Sequence, residues 1–163
     1  MPEGTQTQLG GELREGSHRA NTPLEWVAPV SDAVGGFDLD PCASPSSRLA
    51  EKSIRETGGL ARSWDEYRTV WVNHPFSEPA EWLRKANETT AETVVTLSKC
   101  DPSTAWFHDE LLGADVLAFP SDRIQFIGYD NSAGFPVVYG VFGRCPDALR
   151  DWFESVGWVV MDP

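Results

Sequence analysis

Two segments, Thr69-Val70-Trp71-Val72 and Thr93–Leu97, lack the in-and-out alternation of a strand with one wet face. Short apolar runs of this kind form strands buried on both sides, which requires helices above and below a largely parallel sheet. The intervening sequence supplies such a helix: Ser77 is placed to cap it, and Trp82, Leu83 and Ala86 share one face. After the second strand, Asp101-Pro102 reads as a cap and first-turn proline for a helix over 102–113 carrying Trp106, Phe107 and Leu111. Upstream, Thr22 and Pro23 open a helix whose apolar side holds Leu24, Val27, Ala28 and Val30, with Pro29 expected to shorten or kink it. Gly35-Gly36 ends that helix, and Phe37-Asp38-Leu39-Asp40 reads as a short strand running into Pro41. Residues from there to Trp64 read as loop-rich. Strands at Asp115–Phe119, Arg123–Ile127, Val137–Phe142 and Gly157–Met161, with a helix near 146–156, complete the chain. The expected fold is a three-layer α/β domain over residues 21–163, with a mostly parallel sheet and an antiparallel C-terminal edge, preceded by a polar, Gly-rich flexible arm at 1–20.

Open sheets of this class bind ligands beyond the carboxyl ends of their strands. Two strands end there in conspicuous chemistry, Asp40-Pro41-Cys42-Ala43 and Asn73-His74-Pro75-Phe76. A side-chain amide, a rigid proline and an aromatic ring at a strand end suit an extruded nucleobase. The amide oxygen of Asn73 and the carbonyl of the next residue accept the hydrogens of an exocyclic amine, and the ring of Phe76 stacks on the base. Such a site works by positioning and electrostatics, without a covalent enzyme intermediate. The bland alternatives are an Asn capping a turn and an Asp40 capping the next helix.

Other reactive residues group poorly. Cys42, Cys100 and Cys145 form no close pair, and no His, Asp or Glu cluster has metal-ligand spacing, so neither a disulfide framework nor a metal site is expected. Ser44 and Ser77 have no nucleophile-elbow context, and the Cys42 thiolate is disfavoured beside Asp38 and Asp40. No apolar run approaches the roughly 20 residues of a membrane span, and the N-terminus lacks the order of a signal peptide.

Taken together these motifs resemble the phage-type, Dam-like DNA N6-adenine methyltransferases. The resemblance rests on an ordered series: Asn21-Thr22-Pro23, FDLDPCAS at 37–44, Gly59-Leu60 with Trp64, NHPFS at 73–77, Trp82-Leu83-Arg84-Lys85-Ala86, DPSTAWFH at 101–108 and DRIQF at 122–126. It covers about residues 21–143. It implies a Rossmann-like methyltransferase fold, S-adenosylmethionine as methyl donor, and adenine in DNA as acceptor. It further implies catalytic roles for Asn73, His74, Pro75 and Phe76, and donor binding by Thr22, Pro23, Asp40, Pro41, Cys42 and Ala43. The family's tetrapeptide normally carries two prolines, and His74 stands in place of the first. His still offers the carbonyl, and Pro75 still biases residue 74 towards extended backbone. A weakened or retired member that only binds donor or DNA is one alternative; an enzyme acting on cytosine N4 or RNA is another. With 163 residues, target recognition falls to loops such as 44–63 and 128–136, in a monomer or weak homodimer.

The charge runs against DNA binding, since 25 acidic residues face 13 basic ones and the net charge is -12. Phosphate neutralisation needs Lys and Arg. Only Lys52, Lys85 and Lys99 are lysines. An acidic, Lys-poor surface suits a salt-rich cytoplasm, where counterion release gains little. The expectation is therefore a protein working in the host cytoplasm, encoded by a virus or mobile element of an extreme halophile.

Overall fold

The computed structural model describes residues 22–44, 49–126 and 134–163. Helix α1 (Leu24–Val34) leads into β1 (Phe37–Ala43), β2 (Ala50–Arg55) and the single-turn α2 (Glu56–Gly59). Then follow β3 (Thr69–Asn73), α3 (Pro79–Glu88), β4 (Thr93–Lys99), α4 (Ala105–Asp109), β5 (Val116–Pro120), β6 (Val137–Gly143), α5 (Asp147–Val156) and β7 (Gly157–Met161). They form a seven-stranded sheet in the order β2-β1-β3-β4-β6-β5-β7. The β2, β1, β3 and β4 strands are mutually parallel, whereas β4–β6, β6–β5 and β5–β7 pair antiparallel. The expected parallel strands and antiparallel C-terminal edge are present, and the antiparallel portion takes in every pairing beyond β4.

Side chains alternate across the sheet into two cores. Trp71, Val95, Leu97, Tyr139 and Val141 face Val27, Val30, Leu149 and Phe153 of α1 and α5. Val70, Val72, Val94 and Val138 face Trp82, Leu83, Ala86 and Phe107 of α3 and α4. The unalternating runs of β3 and β4 are thus covered on both faces. The Tyr139 hydroxyl donates to the Trp26 carbonyl at 2.6 Å, fixing the start of α1 over the sheet. Asp38 tethers β1 to β3, its carboxylate accepting the Arg68 and Thr69 amides at 3.1 and 3.2 Å.

Several local expectations are corrected. Helix α1 runs unbroken through Pro29. The carbonyl that a proline there leaves without its helical partner is that of Glu25, in the exposed first turn, where a helix interior bond is least missed. Leu24 faces outward, and the helix starts one residue after Pro23 rather than on it. Its end is as expected: Gly35 at φ 80° takes the left-handed C-cap that other residues resist. The stretch after Ala43 contains a strand, β2. Helix α3 begins at Pro79 with Glu78, not Ser77, at its N-cap position, and the turn before it is closed by the Glu78 amide on the Pro75 carbonyl.

The helix expected over 102–113 is divided into α4 and a 3-10 turn at Leu111–Gly113. Asp101 takes the Ser103 amide into a local turn, and the Asn87 side chain takes the Glu110 carbonyl at 2.8 Å. Ile124 forms an isolated antiparallel bridge to Phe135 in place of a regular strand, and Ile127 lies outside the described residues, as does the proposed arm.

Candidate active site

The parallel register sets the ends of β1, β3 and β4, and with them Ala43, Asn73 and Lys99, side by side at one edge. Helix α1 runs back across the sheet and returns its N-terminus to that edge. There the Asn73 Nδ2 donates to the Thr22 hydroxyl at 3.1 Å. This contact fixes the orientation of the amide, with its nitrogen towards α1 and its oxygen turned away from it. Thr22 and Asn73 are 51 residues apart in sequence. Pro23 occupies the N-cap position of α1 immediately beside them.

His74 is buried, 2% exposed, at the bottom of the tetrapeptide. Its Nδ1 lies 3.0 Å from the Pro75 carbonyl and its Nε2 2.7 Å from the Ser98 hydroxyl. A carbonyl only accepts, so Nδ1 carries the hydrogen, and Ser98 donates to Nε2. Burial pushes the imidazole pKa down to about 4, against the opposing pull of the Pro75 carbonyl. The ring is therefore neutral at ordinary pH and both of its nitrogens are engaged. Pro75 is buried behind it, and Phe76 is half-buried.

Phe76 stands among aromatic rings supplied by the segment after β5. Its centroid is 5.3 Å from Phe126, edge-on, and 5.9 Å from Phe135. The Ile124–Phe135 bridge holds both rings in place through paired amide–carbonyl bonds of 2.9 Å. Lys99 places its ammonium 4.4 Å from the Phe76 ring and 4.3 Å from that of Phe135.

At the end of β1, Asp40 is 3% exposed and accepts the Cys42 amide at 3.2 Å. The strand continues through Ala43, so Asp40 caps no helix. Pro41, Cys42 and Ala43 are buried beneath it. Gly59 packs against this strand end so closely that a Cβ on it would lie 1.8 Å from the Pro41 carbonyl oxygen. The Gly59 carbonyl accepts the Trp64 indole N–H at 3.0 Å, Trp64 stacks on Trp82, and Lys85 donates to the Leu60 carbonyl. The scattered Gly59-Leu60, Trp64 and Trp82–Ala86 motifs are therefore one packing unit that backs the β1 end.

The structure thus brings Thr22, Pro23 and Asn73 to Phe76 together, with Asp40 to Ala43 on the neighbouring parallel strand. Sequence reasoning missed Ser98, Lys99 and Phe135. The signal was the parallel pairing itself: residues that end β4 adjoin those that end β3. Among the described residues no three His, Cys, Asp or Glu side chains converge as metal ligands, and no helix is long and apolar enough to cross a membrane.

Residues 13–136 match the family described as DNA N-6-adenine-methyltransferase (Dam). The chain is similar to a DNA N-6-adenine-methyltransferase of Escherichia phage T1, at 31% identity over 134 residues, covering 78% of this chain and 56% of the phage protein. A second relative is the DNA N-6-adenine-methyltransferase of Haemophilus phage HP1, 32% identical over 96 residues, covering 56% of this chain and 55% of that protein. The chain spans about half the length of the curated relatives it matches.

Proposed function

The chain belongs to the DNA N-6-adenine-methyltransferase (Dam) family, and from that premise we propose that it methylates N6 of an adenine flipped out of DNA, with S-adenosylmethionine as donor. The observation that carries this reading is the Asn73–Thr22 hydrogen bond at the carboxyl end of β3, which orients an amide oxygen for an exocyclic amine.

The donor fits the residues at the adjoining strand end. Asp40 is a buried carboxylate, and such a group accepts hydrogen bonds from an ammonium or a ribose hydroxyl. Thr22 and Pro23 stand on the other side, where they would bound the methionine end, with Pro41, Cys42 and Ala43 as the floor. When bound, S-adenosylmethionine supplies an electrophilic methyl group.

The chain's own residues then act on the acceptor. Asn73 Oδ1 and the His74 carbonyl accept the two amine hydrogens, which draws electron density onto the nitrogen as a lone pair available for in-line attack. Phe76 stacks on the base. The His74 imidazole takes no proton in this scheme, because Nδ1 already bears one and Nε2 is occupied by Ser98. Its task is to hold the loop so that its backbone carbonyl keeps its direction. Departure from the two-proline motif is compatible with activity on this ground.

We place the protein in a host cell as the product of a virus, in keeping with the phage origin of its relatives, and read the acid excess as adaptation to a salt-rich interior. Unfolding at molar salt, with full structure in dilute buffer, would contradict that adaptation. The activity is tested by digesting DNA from expressing cells with nucleases that discriminate methylated adenine. A changed cleavage pattern that disappears with Asn73→Ala supports the proposal, and a pattern identical to that of empty-vector cells refutes it.

A further inference from the structure

Lys99 is unusually placed for a lysine in so acidic a chain. Among the described residues Arg84 pairs with Glu110, Arg144 with Glu92 and Arg150 with Asp147, while Lys85 is engaged by the Leu60 carbonyl and the Trp64 ring. Lys99 has no carboxylate partner among them. It ends β4 directly beside the tetrapeptide, with its ammonium lying over the rings of Phe76 and Phe135 at 4.4 and 4.3 Å. A ring face holds a cation through its quadrupole, and it also stacks on a base; one face cannot do both at once. The ammonium is partly desolvated there, and burial lowers its pKa.

We propose that Lys99 is a DNA-backbone ligand whose ammonium rests on Phe76 and Phe135 in the free protein and moves to a phosphate of the target strand when the flipped base takes its place against Phe76. The inference rests on the base-stacking role given to Phe76 above. It follows from three features that meet at one point: a cation with no carboxylate partner among the described residues, a ring that the acceptor base needs, and a backbone that must follow the base towards Asn73. The exchange is close to balanced at the ring, where stacking replaces the cation, and the new phosphate contact favours the bound state. Lys99 is thereby a positioning residue: it keeps Phe76 covered without DNA and anchors the strand with it.

The test is a titration of a fluorescent duplex at a series of salt concentrations, using the whole protein with saturating S-adenosylmethionine, for wild type, Lys99→Met and Lys99→Arg. Each phosphate contact contributes a slope of about −0.9 to log K against log salt. The wild-type slope should exceed that of Lys99→Met by about one contact, and Lys99→Arg should restore it. A purely structural Lys99 would lower the melting temperature of Lys99→Met and leave the slope unchanged, and that result overturns the proposal. Failure of the wild type itself to bind DNA at low salt would instead overturn the proposed function.

Discussion

The Ser98 hydroxyl donates to His74 Nε2 across 2.7 Å, and this bond, with the one from Nδ1 to the Pro75 carbonyl, locks a buried imidazole where the family's motif carries a proline ring. A proline restrains backbone by its own covalent ring; the histidine does so through two hydrogen bonds. Ser98→Ala leaves Nε2 buried without a donor, at a cost of about 1–3 kcal/mol. His74→Pro strands the Ser98 hydroxyl in turn. The double variant His74→Pro with Ser98→Ala removes both orphans, so its destabilisation should be smaller than the sum of the single ones by about 1 kcal/mol or more. Urea denaturation of the four proteins measures the coupling, and strict additivity would show that the bond stabilises nothing.

Burial of His74 also sets a pH dependence. Its folded-state pKa of about 4 lies below the unfolded value of 6.5, so between these values the unfolded chain binds a proton that the native one refuses. Stability contributed by the neutral ring is complete above about 6.5, falls as pH drops through the window, and is lost by about 4, for a total of about 3 kcal/mol. Denaturation midpoints for the wild type should decline over this window more steeply than those for His74→Asn. Parallel declines would refute the assignment.

On the proposed function, Thr22 should act on catalysis through Asn73. Thr22→Val keeps the shape of the side chain and removes the oxygen that accepts from Nδ2. The amide then loses this hydrogen bond, and kcat/KM should fall roughly tenfold, the equivalent of about 1.4 kcal/mol. Thr22→Ser should recover most of the activity. Equal activity in Thr22→Val and wild type would remove Thr22 from the account.

Gly59 is required by proximity to the β1 end. Gly59→Ala puts a methyl 1.8 Å from the Pro41 carbonyl and 2.8 Å from the Trp82 ring, both fixed in the packed backing of the strand. The strain should cost about 1–3 kcal/mol and weaken donor binding more than DNA binding. Calorimetric titration with S-adenosylmethionine checks this, and an unaltered donor affinity would show that α2 does not support the pocket.

Much of the candidate site was legible because the strands bearing it are buried on both faces. Thr69–Asn73 and Thr93–Lys99 announce themselves by the absence of alternation, and the chemistry begins where the apolar run stops. The β2 strand, AEKSIR, gave no such signal. It lies at the sheet edge, pairs among the described residues with β1 alone, and exposes Glu51, Lys52 and Ser53, so its composition is that of a loop. The division of the 102–113 helix was equally hidden. It depends on the Asn87 side chain reaching over from α3, a tertiary contact that local propensity does not contain. The aromatic and cationic surroundings of Phe76 were hidden for a similar reason: Lys99 and Phe135 join it only once β4 and the 124–135 bridge are in place.

On the proposed function, Asn73 presents adenine N6 for methylation. Purified protein incubated with unmethylated DNA and S-adenosylmethionine, followed by digestion and mass spectrometry of the nucleosides, tests it most directly. N6-methyladenine is expected with wild type and none with a folded Asn73→Ala variant. No N6-methyladenine from a folded, donor-saturated wild type, or undiminished signal from Asn73→Ala, would contradict it.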